Sequence, residues 1–344
     1  MKKMKFSALV LAGAGFMFTS CDDMDNNVNP ATSVRLFASN NSNGDVTIYD
    51  FKDSGNSMAT TTTLSTPSSA ADGVFYDADA KTIVQVSRTD KGIEGFMEDA
   101  SVSLGGIINV SVDLDGSNDM ESPRELAVNG NFYVVADNAD VDGNASTPDG
   151  RLFVYQKTSG GFSLRNVITT DFKLWGITFI GNDLYAVVDA DNELAKFENF
   201  LSNSSDMTLS ATKRVEIEGM TRTHGLTYDV ATDIMVMTDI GDAGNTQDDG
   251  GFHVINNFIS TFNGTAAGGT IGSAAQIIVE GSRTKMGNPV DVAYDGATKS
   301  VYIAEAGNGG GRILGFTNVT SGGNITPSMN YDLAAASSVF LHKE

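Results

Sequence analysis

The chain has 344 residues, with 22 lysines and arginines against 43 aspartates and glutamates, a formal net charge of −21, 37 glycines and a single cysteine. Such an acid excess repels nucleic acid and anionic lipid surfaces over most of the protein's area, so nucleic-acid binding is a poor fit. One cysteine permits no disulfide framework, and stability must come from a packed core.

At the start of the chain, Met1 to Lys5 reads MKKMK, residues 6–18 are almost entirely apolar, and Thr19 and Ser20 precede Cys21. A charged head, a short apolar run and small residues before a cut site describe a secretory signal too short to span a bilayer. "FTSC" (18–21) resembles the lipobox of bacterial lipoproteins, with Phe18 where leucine is commonest. The resemblance implies lipidation of Cys21 as the first mature residue, hence attachment to a membrane through lipid. Asp22, Asp23 and Asp25 resemble the export signal of Bacteroidota lipoproteins, which implies outer-membrane anchoring facing the cell exterior. The expected organisation is a signal peptide at 1–20, an acidic flexible tether at 21–33 and one folded domain at 34–344. Loss of Lys2, Lys3 and Lys5 with the signal takes the net charge from −21 to −24.

Beyond the tether, five segments share the form of a small or polar residue followed by an aliphatic-rich strand: "DGVFYD" (72–77), "RELAVNG" (124–130), "WGITFIGN" (175–182), "HGLTYD" (224–229) and "VDVAYDG" (290–296). Each is followed, after a tight hairpin turn, by a second strand: "TIVQVS", "FYVVAD", "DLYAVVD", "DIMVMTD" and "SVYIAE". A third strand often ends in a tag such as "FENF" (197–200), "INNF" (255–258) or "FTNV" (316–319). Val74, Leu126, Ile177, Leu226 and Val292 in the first strands are 52, 51, 49 and 66 residues apart. Short antiparallel strands at a period of about fifty residues indicate propeller blades. The opening "SVRLFASNNSNGDVTIYDF" has second and third strands without a first, and "SSVFLH" (337–342) can supply it. The predicted fold is therefore all-β, a six-bladed β-propeller in which N- and C-terminal strands close one blade; a β-sandwich or two stacked β domains is the competing architecture.

The phrase "NPVDVAYD…VYIAEAGNGGGRILGF" (288–316) resembles the blades of six-bladed NHL and gluconolactonase-like propellers, and weaker copies cover most of residues 32–344. In an antiparallel blade, the start of strand one, the end of strand two and the start of strand three share a face. That face gathers Asp72, Arg124, Glu125, Trp175, Arg222, His224, Arg283, Asn288 and Asp291 with the long loops 137–150, 239–251 and 305–311. Long loops on one side of a rigid scaffold are where binding usually resides. Arg124, Arg222 and Arg283, with Lys173, form either a basic funnel for a carboxylate or phosphate, or partners for Asp137, Asp189, Asp239 and Glu305 at the ends of the second strands. Trp175, the only tryptophan, either stacks on a sugar ring or plugs the pore. The resemblance implies that Glu125, Asn288 and Asp291 sit where gluconolactonase-like enzymes hold a pore calcium, although Gly176 and Gly225 leave two equivalent positions without side chains. Such a hydrolase polarises a carbonyl with the cation and activates water with a base, a role open to His224 with Glu125. The plainer reading of His224 is an ordinary hydrogen-bonded residue.

"NADVDGNASTPD" (138–149) has the Asx-x-Asp-x-Asp-Gly spacing of calcium loops. Asn138, Asp140 and Asp142 would give side-chain oxygens, Gly143 the turn, Asn144 its carbonyl and Asp149 the closing carboxylate. The alternative is a solvated acidic turn, and residues 111–122 and 239–251 are vaguer acid clusters. Gly-x-Ser-x-Gly, phosphate-loop, His-Glu-x-x-His and cysteine-cluster motifs do not occur. The leading expectation is a non-catalytic, surface-anchored module that binds a small molecule, glycan or protein, with calcium as a candidate cofactor. The runner-up is a calcium-dependent hydrolase of the lactonase type.

Overall fold

Aliphatic-rich inner strands, buried on both faces, pack each sheet face to face with its neighbours, and six twisted sheets result. The computed structural model describes residues 33–51, 59–98 and 105–344; the signal segment, Cys21 and the tether through residue 32 lie outside the described residues.

Blade 1 holds β1 (Val34–Asn40), β2 (Val46–Phe51) and β3 (Thr60–Ser65). Blade 2 runs through β4 (Ala71–Asp77), β5 (Thr82–Ser87) and β6 (Gly92–Met97). Next, β7 (Gly106–Asn109) pairs in parallel with β3 of blade 1, and β8 (Leu114–Asp115) returns to complete blade 2. Blade 3 comprises β9 (Pro123–Asn129), β10 (Phe132–Asp137), β11 (Gly150–Thr158) and β12 (Gly161–Thr170). Blade 4 follows with β13 (Leu174–Ile180), β14 (Asp183–Val188) and β15 (Glu193–Phe197), after which β16 (Met207–Thr208) adds to β12 and β17 (Lys213–Ile217) completes the blade. In blade 5, β18 (Thr223–Asp229), β19 (Ile234–Asp239) and β20 (Gly251–Asn256) lead into α1 (Phe258–Gly264); β21 (Thr270–Ile271) then joins β17, and β22 (Gln276–Glu280) is the outer strand. Blade 6 is β23 (Pro289–Asp295), β24 (Ser300–Glu305), β25 (Arg312–Phe316) and β26 (Met329–Asp332). Finally β27 (Ala336–Lys343) pairs with β1, Phe340 opposite Phe37, and supplies the innermost strand of blade 1. The chain thus closes on itself with six first strands, as the sequence predicts.

The parallel straps β7, β16 and β21 are new to the structure. Each leaves its own blade between third and fourth strands and covers the outer edge of the preceding one, protecting backbone groups that an open edge would expose. The core lies between neighbouring blades: Phe37 stacks on Tyr76 at 4.8 Å between blades 1 and 2, while Phe258 and Phe262 of α1 pack on Tyr185 between blades 4 and 5. In all six blades the pairing of the innermost strand shifts register near its start. A bulge repeated at one level redirects side chains at one end of the pore.

Candidate functional site: the pore mouth and its loops

Two layers of residues follow from that bulge. Just before the aliphatic residue of each innermost strand stand Gly73, Glu125, Gly176, Gly225, Asp291 and Ser338; one residue earlier stand Asp72, Arg124, Trp175, His224, Val290 and Ser337. The glycines reflect the closeness of the strands. A Cβ on Gly225 would lie 2.4 Å from Asp291 Cα, and one on Gly176 would lie 2.4 Å from the His224 carbonyl oxygen.

The mouth layer is a continuous packed arc. Arg124 Nη1 is 3.5 Å from Asp72 Oδ2, and its guanidinium lies 4.2 Å from the centre of the Trp175 ring. Trp175 stacks on His224 at 3.8 Å and 9°. His224 Nε2 sits 3.3 Å from Asp189 Oδ1, which also accepts from Arg222 Nη2 at 2.7 Å. Burial lowers the His224 pKa against the pull of Asp189, so the imidazole is neutral at neutral pH. Burial alone would raise Asp189, but the adjacent His224 ring and hydrogen bonds from Arg222 and Asn138 override it and hold the carboxyl below its ordinary range.

These contacts resolve the arginines individually. Arg222 pairs with Asp189 as the plainer reading expects. Arg124 takes Asp72, because Asp137 is occupied by Arg151 at 2.6 Å. Arg283 is exposed, with its backbone N–H on Asn324. Glu305 accepts four backbone N–H groups, from Gly287, Asn288, Gly307 and Asn308, and Asp239 accepts those of Thr221, Arg222 and Gly241. The acids ending these strands therefore serve chiefly to fix the loops.

In the inner layer, Glu125 and Asp291 meet at the axis. Ser338 Oγ is 3.1 Å from Glu125 Oε2 and 2.8 Å from Asp291 Oδ2, and Val339 N–H donates to the same Asp291 oxygen at 2.8 Å. Leu126 N–H donates to Glu125 Oε1 at 2.9 Å. Burial, reinforced by the Asp291 charge, pushes the Glu125 carboxyl well above its ordinary range, and burial pushes Asp291 up to about 7. Both shifts favour a proton kept within the pair. Ser338 is the member that sequence reasoning missed. Its signal was present: aligned on the aliphatic residue, the second serine of "SSVFLH" falls at the level of Glu125 and Asp291.

Calcium takes six to eight oxygen ligands. At this level three of six positions are glycine, the two carboxyls are already engaged by Ser338, Leu126 and Val339, and no contact among the described residues brings Asn288 to them. The Asn288 backbone N–H is held by Glu305, while its side-chain Oδ1 is buried with no hydrogen-bond partner among the described residues. Contacts among the described residues therefore do not gather Glu125, Asn288 and Asp291 into one ligand set. His224 and Glu125, suggested as a joint base, have separate partners, Asp189 and Ser338.

The loop between β10 and β11 does gather acids. One oxygen from each of Asp140, Asp142 and Asp149 lies within 4.8 Å of the others, a cluster that can hold a metal ion. Val141 N–H donates to Asp149, and Asn144 N–H donates to Asp142 at 2.8 Å. Two expected ligands differ. Asn138 turns inward, its amide donating to the Leu174 carbonyl at 2.8 Å and to Asp189 at 2.9 Å, and the Asn144 carbonyl accepts Thr147 N–H at 2.8 Å. Asn138 thus ties the loop to the mouth arc. In the 239–251 loop the same device recurs, with Asp249 accepting Asp242 N–H at 2.9 Å. Within 111–122, Asp113 accepts Met97 N–H and Glu121 pairs with Arg151.

No protein-family model and no curated protein sequence matches this chain. Solved structures do. A protein from Bacteroides fragilis, provisionally named 6-phosphogluconolactonase, superposes with a TM-score of 0.60 at 11% identity over 92% of this chain and 100% of that one. A Bacteroides uniformis protein with the same provisional name gives 0.57 at 9% identity, over 90% and 99%. A chain of the nidogen/laminin complex gives 0.58 at 13% identity, over 90% and 98%. Proteins with such different names share the architecture, so the likeness shows the fold alone.

Proposed function

We propose that this chain is a surface-anchored lipoprotein propeller that binds a small-molecule, glycan or protein ligand through its long-loop face without transforming it. The supporting observation is the arc Asp72–Arg124–Trp175–His224: the polar groups that resemble catalytic ones are packed against each other, with Asp72, Arg124 and His224 at 3%, 8% and 4% exposure. A base needs access to substrate, and His224 lies beneath an indole ring. Calcium at Asp140, Asp142 and Asp149 would stiffen the 138–149 loop, with solvent completing its coordination. Cys21 carries the lipid, and acids 22, 23 and 25 direct the protein to the cell exterior.

A lactonase-type hydrolase is the second reading, favoured by one observation, the buried Glu125 and Asp291 carboxyls bridged by Ser338 on the axis. Glu125→Gln keeps shape and hydrogen bonding but removes the titrating proton. Measurable turnover of δ-gluconolactone that this substitution abolishes would establish the hydrolase and end the binding-only proposal; absence of turnover in the intact protein supports it. Mass spectrometry of membrane-extracted chain tests the anchor, because a Cys21→Ser chain that is still acylated and membrane-bound would refute it.

A further inference from the structure

On the long-loop face, a groove of about 390 Å3 opens between blades 1 and 6, and nothing so far described occupies it. Its size suits a small ligand. Thr47 and Tyr49 on β2 stand opposite Thr63 and Thr61 on β3, so these four side chains share one face of blade 1. Nearer the axis this face is apolar, with Leu36 and Ala38 in the cluster that includes Val290 and Ile313 of blade 6. Toward the rim, hydroxyls replace the aliphatic groups. Across the groove are Tyr331 and Asp332 at the end of β26, the Tyr331 ring 5.2 Å from that of Tyr49. The side-chain hydroxyls of Thr47, Thr61 and Thr63 make no hydrogen bond among the described residues.

We propose that this groove binds a neutral saccharide, an inference that rests on the ligand-binding reading of the face. Hydroxyls both donate and accept, as sugar hydroxyls do, and a tyrosine ring offers an apolar body to a sugar's C–H face. Charge narrows the class further. Asp45 and Asp332 line the groove and no lysine or arginine does, so phosphate- and carboxylate-bearing sugars are repelled. Asp45 is already committed, its two oxygens accepting from Thr66 N–H and the Asn43 amide, and Asp332 is exposed, where one carboxylate holds an amine only weakly.

The test uses the full-length chain in a sugar-free zwitterionic detergent, titrated calorimetrically with cellobiose, maltose and lactose, and with glucose 6-phosphate and spermidine as controls. At least one neutral disaccharide should bind, and Thr61→Val with Thr63→Val, which keeps shape and removes two hydroxyls, should weaken it tenfold or more with an unchanged circular dichroism spectrum. Glucose 6-phosphate and spermidine should give no heat of binding. No binding by any of the three disaccharides, binding unmoved by the double substitution, or preference for the phosphate or the amine would overturn the assignment. Hydrolysis of δ-gluconolactone would sink the underlying binding-only reading by a separate route, so the two failures are distinguishable.

Discussion

Asp291→Asn removes one titrating carboxyl from the buried axis of the propeller. Asp291 is 4% exposed and lies against Ser338 and Val339. Its carboxyl is raised by burial from 3.8 to about 7. At about 1.4 kcal/mol per unit the shift corresponds to roughly 4 kcal/mol, an upper figure because water entry and relaxation reduce it. The sign follows from which state holds the proton. Below the unfolded value of 3.8 both states are protonated and the group contributes no difference. Between 3.8 and about 7 the unfolded chain releases a proton that the folded chain keeps, so stability falls as pH rises, and above about 7 the loss is complete. An asparagine avoids this loss: its carbonyl oxygen can accept from Ser338 and Val339, and its amide can donate to Glu125. Urea denaturation followed by circular dichroism at pH 4 and pH 8 should give near-equal stabilities for the two proteins at pH 4. At pH 8 the substituted protein should be more stable by roughly 2 to 4 kcal/mol. An equal gap at both pH values, or a less stable Asp291→Asn protein at pH 8, would refute the account of a proton-sharing pair.

Three further outcomes follow from the same geometry. Gly225→Ala places a Cβ 2.4 Å from Asp291 Cα, and the strands must separate; a loss of about 2 to 3 kcal/mol in thermal or denaturant melts is expected, and an unchanged midpoint would contradict the close approach. Trp175→Phe keeps an aromatic ring between Arg124 and His224 whereas Trp175→Ala does not, so alanine should cost at least about 1 kcal/mol more than phenylalanine in the same melts. Asp140→Asn with Asp142→Asn should abolish calcium binding measured by calorimetry; binding that survives would put the ion outside the 138–149 loop.

The blade order was legible because it is carried by repetition. Val74, Leu126, Ile177, Leu226 and Val292 mark the first strands, and "SSVFLH" lacks a partner unless it closes on the N-terminus. The straps were not legible, since Met207–Thr208 and Thr270–Ile271 are two residues each and carry no alternation that a period can detect. Within the site, Arg222 with Asp189 could be anticipated from charge and strand position. Arg124 with Asp72 could not, because the choice between Asp72 and Asp137 depends on Arg151, which enters from the third strand of the same blade. Asn138 illustrates the same difficulty. Motif spacing assigns it to the loop, but the backbone carries its amide inward to Leu174 and Asp189.

Glycine in the inner layer links these observations to function. Three of six positions lack a side chain, so neighbouring first strands approach closely and leave little space for any group larger than hydrogen. The acids Glu125 and Asp291 are admitted because Ser338, a small hydroxyl residue, stands between them and bonds to both. In the layer above, Trp175 stacks on His224. Under the proposed binding function, recognition falls outward, where blades diverge and loops lengthen. There lie three threonine hydroxyls between blades 1 and 6, without hydrogen bonds among the described residues, and the three clustered carboxylates of the β10–β11 loop. A binding surface held in place by a tightly packed axis would let weakly binding hydroxyls and carboxylates act together at little entropic cost.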